Sequence, residues 1–371
     1  MLLESGVEFF PALIAAIDAA LSEVWLETYI FAGDATGRRV AEALANAARR
    51  GVSVKLVIDG YGTRTLDPDI AELLDTSGVH RLVYSPMPRW VTLDRSRLRR
   101  LHRKLACVDL ETAFVGGINV LDDLWDPNHG VLEHPRLDYA VQIRGAQVLE
   151  IREAMSRVWN SLVTPTKLDR LVRARRRVPP RPVRLVLRDS FVHRRAIERE
   201  YLRAIGQARH EVLIATAYFF PGRRFRRALR EARRRGVRVR LLLQGKPEYL
   251  LPHRAARALY DSLLSHGVEI VEYRRSFLHA KVAVIDDWAT VGSSNIDPFS
   301  LLLAREANLV VIDRRFAQHL RERLDLAMLQ GGQTVHPDDH RRRPLWERAL
   351  GWFAYSVLRL GVLVSGEQRR Y

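Results

Sequence analysis

The sequence predicts an α/β protein built of two pseudo-repeated α/β sandwich lobes. Three observations carry that prediction. Blocks of sequence recur at a nearly constant spacing. Each block alternates a helical pattern with a short apolar strand pattern. A polar motif, His-x-Lys followed by Asp, occurs once in each half.

The repeats come first. Glu23–Phe31 (EVWLETYIF) in the first half is echoed by Glu211–Phe219 (EVLIATAYF) in the second. Arg49–Leu56 is echoed by Arg234–Leu241, and Gly78-Val79 with Tyr84 by Gly267-Val268 with Tyr273, at almost the same offset. Such regular self-similarity marks a duplicated structural unit. Within it, Val54–Ile58 and Val239–Leu243 are short, apolar and bounded by glycines, as buried strands of an α/β sheet are. Helical patterns precede them, Val40–Arg50 and Phe225–Arg235. Gly51 and Gly236 follow where a helix C-terminus needs a left-handed residue. Helix alternating with apolar strand gives an α/β sandwich in each half.

A length of 371 residues and a hydrophobic fraction of 47% support two cored lobes. We expect a first lobe over 1–164, a basic proline-rich linker over 165–182, a second lobe over 183–330 and a basic tail over 331–371. Cys107 is the single cysteine, so the chain has no internal disulfide; placed in a strand pattern, it reads as a core residue. The net charge of +17, with a pI near 10.6, suits a polyanion, either nucleic acid or an anionic membrane. No signal peptide and no 18-residue uncharged apolar run is visible, so no transmembrane helix is expected.

The chemistry sits on the repeat. His102-Arg103-Lys104 with Asp109 matches His279-Ala280-Lys281 with Asp286, all three polar residues displaced by the same interval. Gly116-Gly117-Ile118-Asn119 matches Gly292-Ser293-Ser294-Asn295, displaced by one position less. Residues two apart in an extended segment share a face, so each histidine sits beside its lysine. An imidazole and an ammonium on one face suit a phosphate, since lysine supplies charge and histidine can attack phosphorus or carry a proton. Asn119 and Asn295 offer amide donors to phosphoryl oxygens, and Gly116, Gly117 and Gly292 let backbone approach closely. Ser293 and Ser294 offer further hydroxyl contacts or fill a tight turn. No metal-ligand spacing accompanies these residues, and neither metal nor other cofactor is expected.

These paired motifs, H-x-K-x4-D-x6-G-S/G, resemble those of the phospholipase D superfamily. The second copy is one residue short between Asp286 and Gly292. Longer runs, Tyr218–Gly222, Leu242–Pro247 and His279–Leu301, resemble the bacterial cardiolipin synthases within that superfamily, over about residues 4–327. Members usually begin with an additional strand, whereas this chain is expected to open almost directly in its first helix.

The resemblance implies two phospholipase D-type α/β/α sandwich lobes packed around one shared active site, and a ping-pong transfer through a phosphohistidine. It places His102, Lys104, Asp109, His279, Lys281 and Asp286 in the catalytic set, with the two aspartates mainly orienting loops at strand ends. Lys104, Lys281, Asn119, Asn295, Ser293 and Ser294 would bind the substrate phosphate. Asp138 and Glu306 would orient the histidines; we favour His102 as nucleophile and His279 as acid, and the pseudo-symmetry of the two halves leaves that assignment open. The implied reaction moves a phosphatidyl group from one phosphatidylglycerol to another and releases glycerol. The alternative is a phospholipase D-type hydrolase or nuclease on the same paired histidines. Against nucleic acid, no aromatic platform is interleaved with the basic residues.

The tail from Leu345 to Val364 carries a helical stripe of Trp346, Leu350, Phe353, Val357, Leu360 and Val364, with Arg341–Arg343 before it. A basic amphipathic helix of this kind lies in the interface of an anionic bilayer, or packs back on its own domain. We expect a peripheral protein of the bacterial cytoplasmic membrane, with an anionic phospholipid surface as partner. The sequence leaves the oligomeric state open.

Overall fold

The computed structural model describes residues 1–86, 99–126, 129–164, 181–188, 193–297 and 304–364. Most of the expected linker, residues 165–180, lies outside them, as does the end of the run His279–Leu301.

In chain order the first half forms β1 (Leu2–Glu4), α1 (Ser5–Asp18), β2 (Glu23–Thr28), α2 (Ala35–Arg49), β3 (Ser53–Asp59), α3 (Pro68–Thr76) and β4 (His80–Tyr84). Then follow β5 (Arg100–Leu101), β6 (Lys104–Val108), β7 (Thr112–Gly116), β8 (Trp125–Asp126), β9 (Gly130–Val131), β10 (Tyr139–Arg144) and α4 (Gln147–Val163). The second half repeats the plan with β11 (Val183–Arg188), α5 (Ala196–Gln207), β12 (Glu211–Thr216), α6 (Arg223–Arg234), β13 (Arg238–Gln244), α7 (Leu250–Arg257) and α8 (Tyr260–Leu264). It continues through β14 (Glu269–Tyr273), β15 (Lys281–Ile285), β16 (Trp288–Gly292), β17 (Ala304–Ile312) and α9 (Arg314–Gly331). The chain closes with β18 (Gly332–Thr334), α10 (Pro337–Arg341) and α11 (Leu345–Val364).

The two sheets have one strand order. In the first it is β1-β10-β7-β6-β2-β3-β4, and in the second β11-β17-β16-β15-β12-β13-β14, extended by β18. In each, the apolar strands pair in parallel (β2 with β3 with β4; β12 with β13 with β14) and the motif hairpin runs antiparallel beside them. Gly51 and Gly236 take φ +90° and +87°, the left-handed caps their spacing called for. Helix starts are capped by Asp34 accepting from Gly37 N–H at 2.8 Å and by Asp67 ahead of Pro68.

Separate apolar layers lie beneath α1–α3 in the first lobe and beneath α5, α6 and α8 in the second. A third, shared layer joins the lobes, where Leu105, Cys107 and Val115 meet Leu213, Val282 and Val291 beside α4 and α9. Cys107 is fully buried there, and burial pushes its thiol up to about 12. Between the motif residues, fully buried Arg103 grips Glu27 at 2.5 and 2.9 Å and the Ala154 carbonyl of α4 at 2.8 Å.

Two expectations are corrected. The chain does not open directly in a helix: Leu2–Glu4 forms an edge strand antiparallel to β10, as β11 does on β17 in the second lobe. Three residues are too few for a period to show. The tail helix does pack on α7, but through small residues rather than its apolar stripe. Ala354 and Gly351 are buried, while Trp346, Phe353 and Leu360 are 60–64% exposed. No helix among the described residues is long and apolar enough to cross a membrane.

Candidate active site

Strand pairing between the lobes places the histidines. Leu101, just before His102, pairs in parallel with Arg305, just before Glu306. Leu278, just before His279, pairs in parallel with Leu137, just before Asp138. His102 N–H donates to the Arg305 carbonyl at 3.0 Å, and His279 N–H to the Leu137 carbonyl at 2.8 Å. Each histidine is thereby set against a carboxylate of the opposite lobe. His102 Nδ1 lies 3.1 Å from Glu306, and His279 Nδ1 lies 2.6 Å from Asp138 Oδ2. Both Nδ1 atoms are occupied, so Nε2 is the atom left for chemistry.

The lysines are folded in beside the rings. Lys104 Nζ donates to the His102 carbonyl at 2.6 Å, and Lys281 Nζ to the His279 carbonyl. Lys281 Nζ also lies 3.8 Å from Asp138 Oδ2. Burial lowers Lys104 to about 7 and lowers Lys281 as well.

The other expected residues separate into those at the site and those away from it. Asn119 and Asn295 are both buried beside it; Asn119 Oδ1 accepts from Ile30 N–H at 3.1 Å, and Asn295 Oδ1 has no partner among the described residues. Ser293 and Ser294 are buried and turned inward. Ser293 Oγ donates to Glu306, while Ser294 Oγ meets Arg188 at 3.3 Å and the Asn295 carbonyl at 3.3 Å. Ser293 Oγ is thus engaged with Glu306 and with the Ala307 N–H in this geometry.

Asp109 and Asp286 lie at the far ends of β6 and β15, about 16 Å along the strand from the lysines. Both sit in left-handed turns, φ +52° and +50°, where aspartate is tolerated. Each collects three backbone N–H donors, from Leu21, Ser22 and Glu23, and from Arg209, His210 and Glu211. Partial burial would raise these carboxyls, but those donors hold both below the usual range. The missing residue of the second motif comes out of this same turn. Three residues link β6 to β7 and two link β15 to β16, so the site end of the hairpin is unaffected.

Gly117 and Gly292 are needed for close approach. A Cβ on Gly117 would lie 2.4 Å from Asp138 Oδ1, and one on Gly292 2.4 Å from the Asn308 side chain. Gly117 is the positional twin of Ser293, so Glu306 meets a side-chain hydroxyl at this position and Asp138 does not. Burial would raise Glu306, but His102, Arg188 at 3.5 Å and Lys104 hold it below the usual carboxylate range. Asp138 has the Tyr139 N–H and the more distant Lys281, and burial pushes it up to about 6. Burial and the cations Lys281, Lys104 and Arg136 push His279 well below 6.5; burial also lowers His102, but Glu306 opposes it.

A cleft of about 700 Å³ opens onto this centre, lined among others by Tyr29, Asn119, Arg136, Asp138, Tyr249 and His279. Two basic nitrogens, each backed by a buried carboxylate, with ammonium groups beside them, fit displacement at phosphorus.

The chain matches the family described as cardiolipin synthase, phospholipase D-like domain, over residues 13–133 and 201–327. It belongs to that family. Cardiolipin synthase B of Escherichia coli K12 is 39% identical over 371 residues, covering 96% of this chain and 87% of that protein. The major cardiolipin synthase of Bacillus subtilis strain 168 is 30% identical over 351 residues, 92% of this chain and 71% of that one. Among solved structures, the phosphatidylserine synthase of Haemophilus influenzae Rd KW20 superposes with a TM-score of 0.71 at 15% identity, covering 98% and 94% of the two chains, a likeness of fold.

In this cardiolipin synthase-family chain, sequence reasoning missed several residues at the centre. Tyr29 stacks edge-on to His102, ring centroids 4.8 Å apart, with Lys104 Nζ 5.2 Å from its own. Its signal was available, since it lies in the first repeat block. Buried Arg136 pairs with Asp126 at 2.9 Å and lines the cleft; buried Arg188 backs Glu306. Neither belongs to a repeated block, so nothing in the sequence singled them out.

Proposed function

We propose that this protein is a phosphatidyltransferase of the cardiolipin synthase type, joining two phosphatidylglycerol molecules through a phosphohistidine and releasing glycerol. The observation that carries the reading is the exchange of carboxylates between the lobes, which makes one two-histidine centre from two half-sites.

The unequal pairs divide the labour. Glu306 is ionised, so His102 keeps its proton on Nδ1 and presents the Nε2 lone pair. His102 is the nucleophile: Nε2 attacks the lipid phosphorus, and the bond from phosphorus to the glycerol oxygen breaks. The positive charge on the phosphorylated ring is stabilised by Glu306. In the second pair both groups are pushed towards their uncharged forms, so Asp138 shares a proton with Nδ1 while Nε2–H faces the cleft. His279 gives that proton to the departing glycerol as Asp138 returns its own to Nδ1. The acceptor hydroxyl then surrenders its proton to His279 Nε2 and attacks phosphorus, the phosphorus–nitrogen bond breaks, and the pair is restored. Lys104, Lys281, Asn119 and Asn295 hold the phosphoryl oxygens.

The substrate is met at a membrane surface. Trp346, Phe353, Val357 and Leu360 of the α11 stripe face outward and arginines flank the stripe in sequence, which supports peripheral binding to an anionic bilayer such as the bacterial cytoplasmic membrane. Incubation with phosphatidylglycerol vesicles, followed by mass spectrometry, tests the reading. Cardiolipin and glycerol are expected from the native protein and from neither His102→Ala nor His279→Ala. Phosphatidic acid without cardiolipin would make the protein a hydrolase, and no lipid turnover beside DNA cleavage would make it a nuclease.

A further inference from the structure

Outside the catalytic cleft, a hollow of about 210 Å³ lies between α7 and α11. Four arginines line it: Arg254 and Arg257 from α7, Arg343 just before α11, and Arg348 within it. The carboxylates in its wall are Asp261 and Glu347, so the lining carries two more guanidinium groups than carboxylates. Arg257 is anchored by Glu272 at 3.2 Å, and Arg348 by Asp261 at a loose 3.8 Å. Arg343 donates to the His340 carbonyl at 3.0 Å, and the Arg254 guanidinium has no partner among the described residues. Burial next to Arg257 also lowers Arg343 from the usual guanidinium range, the mark of crowded positive charge.

We propose that this hollow binds the phosphodiester headgroup of an anionic phospholipid that is not the molecule undergoing reaction. The proposal rests on the reading of the substrate as an anionic membrane lipid. Guanidinium forks match phosphate oxygens, and four converging on one small hollow exceed what a solvated face needs. The surroundings identify the source as lipid rather than free phosphate. Trp346 and Trp352 line the hollow at 64% and 50% exposure, and Leu345, Phe353 and Leu250 stand out beside them at 78%, 63% and 59%. Apolar and aromatic side chains around a basic hollow are the arrangement of a bilayer interface.

The site is also joined to the catalytic centre. Tyr249, directly before α7, lines the catalytic cleft, and its ring lies 6.3 Å from that of Tyr218. A headgroup held between α7 and α11 thus lies next to the segment that carries Tyr249 into the catalytic cleft.

The test compares Arg254→Ala/Arg348→Ala with Arg223→Ala/Arg224→Ala, which removes equal charge from exposed positions at the start of α6. Full-length proteins are titrated with phosphatidylcholine vesicles holding about 20 mol% phosphatidylglycerol, and the apparent Kd is read by co-sedimentation. At about one kcal/mol for each arginine near the surface, the first variant should bind at least about tenfold more weakly, and the second less than about threefold. Equal weakening of both variants would reduce the effect to diffuse charge and overturn the proposal. Binding of native protein to the phosphatidylglycerol vesicles no tighter than to phosphatidylcholine vesicles alone would overturn the assignment to an anionic lipid headgroup. Turnover of dissolved short-chain phosphatidylglycerol should stay within about twofold of native in both variants, which shows that each is folded. A native protein inactive on that substrate would refute the proposed reaction while leaving the binding comparison intact.

Discussion

Replacing Gly117 by alanine tests the catalytic geometry with a single methyl group. The added Cβ would lie 2.4 Å from Asp138 Oδ1, 2.5 Å from Oδ2 and 2.8 Å from Cγ. An ordinary carbon–oxygen contact is about 3.4 Å, so the carboxylate must retreat by about 1 Å. Its 2.6 Å bond to His279 Nδ1 cannot survive that retreat unchanged. Misplacement of a catalytic group by about 1 Å costs on the order of a hundredfold in rate, or about 2.7 kcal/mol of barrier. Backbone strain is not the cause, because Gly117 is not among the residues with positive φ. Overpacking should cost about 1–3 kcal/mol of stability, leaving the protein folded at 25 °C. The assay is the initial rate of cardiolipin formation beside a thermal melt. A kcat within about threefold of native, in a variant whose added methyl is accommodated, would refute the claim that Asp138 acts through that contact.

Other predictions follow from the same geometry. The proton of the Asp138–His279 pair is held below about pH 6 and lost above it, so kcat/KM for the donor lipid should fall on the alkaline side, up to about tenfold per pH unit; a profile flat from pH 6 to 9 would contradict the pairing. Loss of charge on Lys104 above about 7 adds to that decline by raising KM, and Lys104→Gln should remove this second component while leaving the first. Ser293→Ala takes the hydroxyl from Glu306 and should lower kcat by about tenfold and move the pH profile, whereas a mere packing role would leave the profile in place. Asp286→Ala leaves three backbone N–H groups without their acceptor and should cost about 2 kcal/mol of stability, with kcat of the folded protein nearly unchanged. Because the Asp286 carboxyl is held below its unfolded value, that stability is present above about pH 4 and lost as pH falls through the folded value, so native and variant should converge in acid.

The sequence was legible where the physics is local or duplicated. Strand period set His102 beside Lys104 and His279 beside Lys281, and the glycine caps Gly51 and Gly236 marked the ends of α2 and α6. Asp138 and Glu306 emerged from family resemblance. That each serves the histidine of the other lobe did not, because the exchange depends on the pairings Leu101–Arg305 and Leu278–Leu137, which join opposite halves of the chain. The division between motif lysine and motif aspartate was partly hidden for a related reason: H-x-K-x4-D reads as one unit, yet the strand carries its two ends apart. The outward face of α11 was ambiguous, since one apolar stripe serves a bilayer or a core equally; the burial of Gly351 and Ala354 decides which face meets α7.

The central claim is that His102 bonds to phosphorus while His279, with Asp138, moves the proton. A phosphatidyl donor with p-nitrophenol as leaving group needs no acid for its departure, so rapid-quench release of p-nitrophenol, with peptide mapping of the adduct, isolates the first step. The account predicts a burst and a phosphatidyl adduct on His102 in the native protein and in His279→Ala, and neither in His102→Ala. An adduct on His279, or a full burst in His102→Ala, would contradict it.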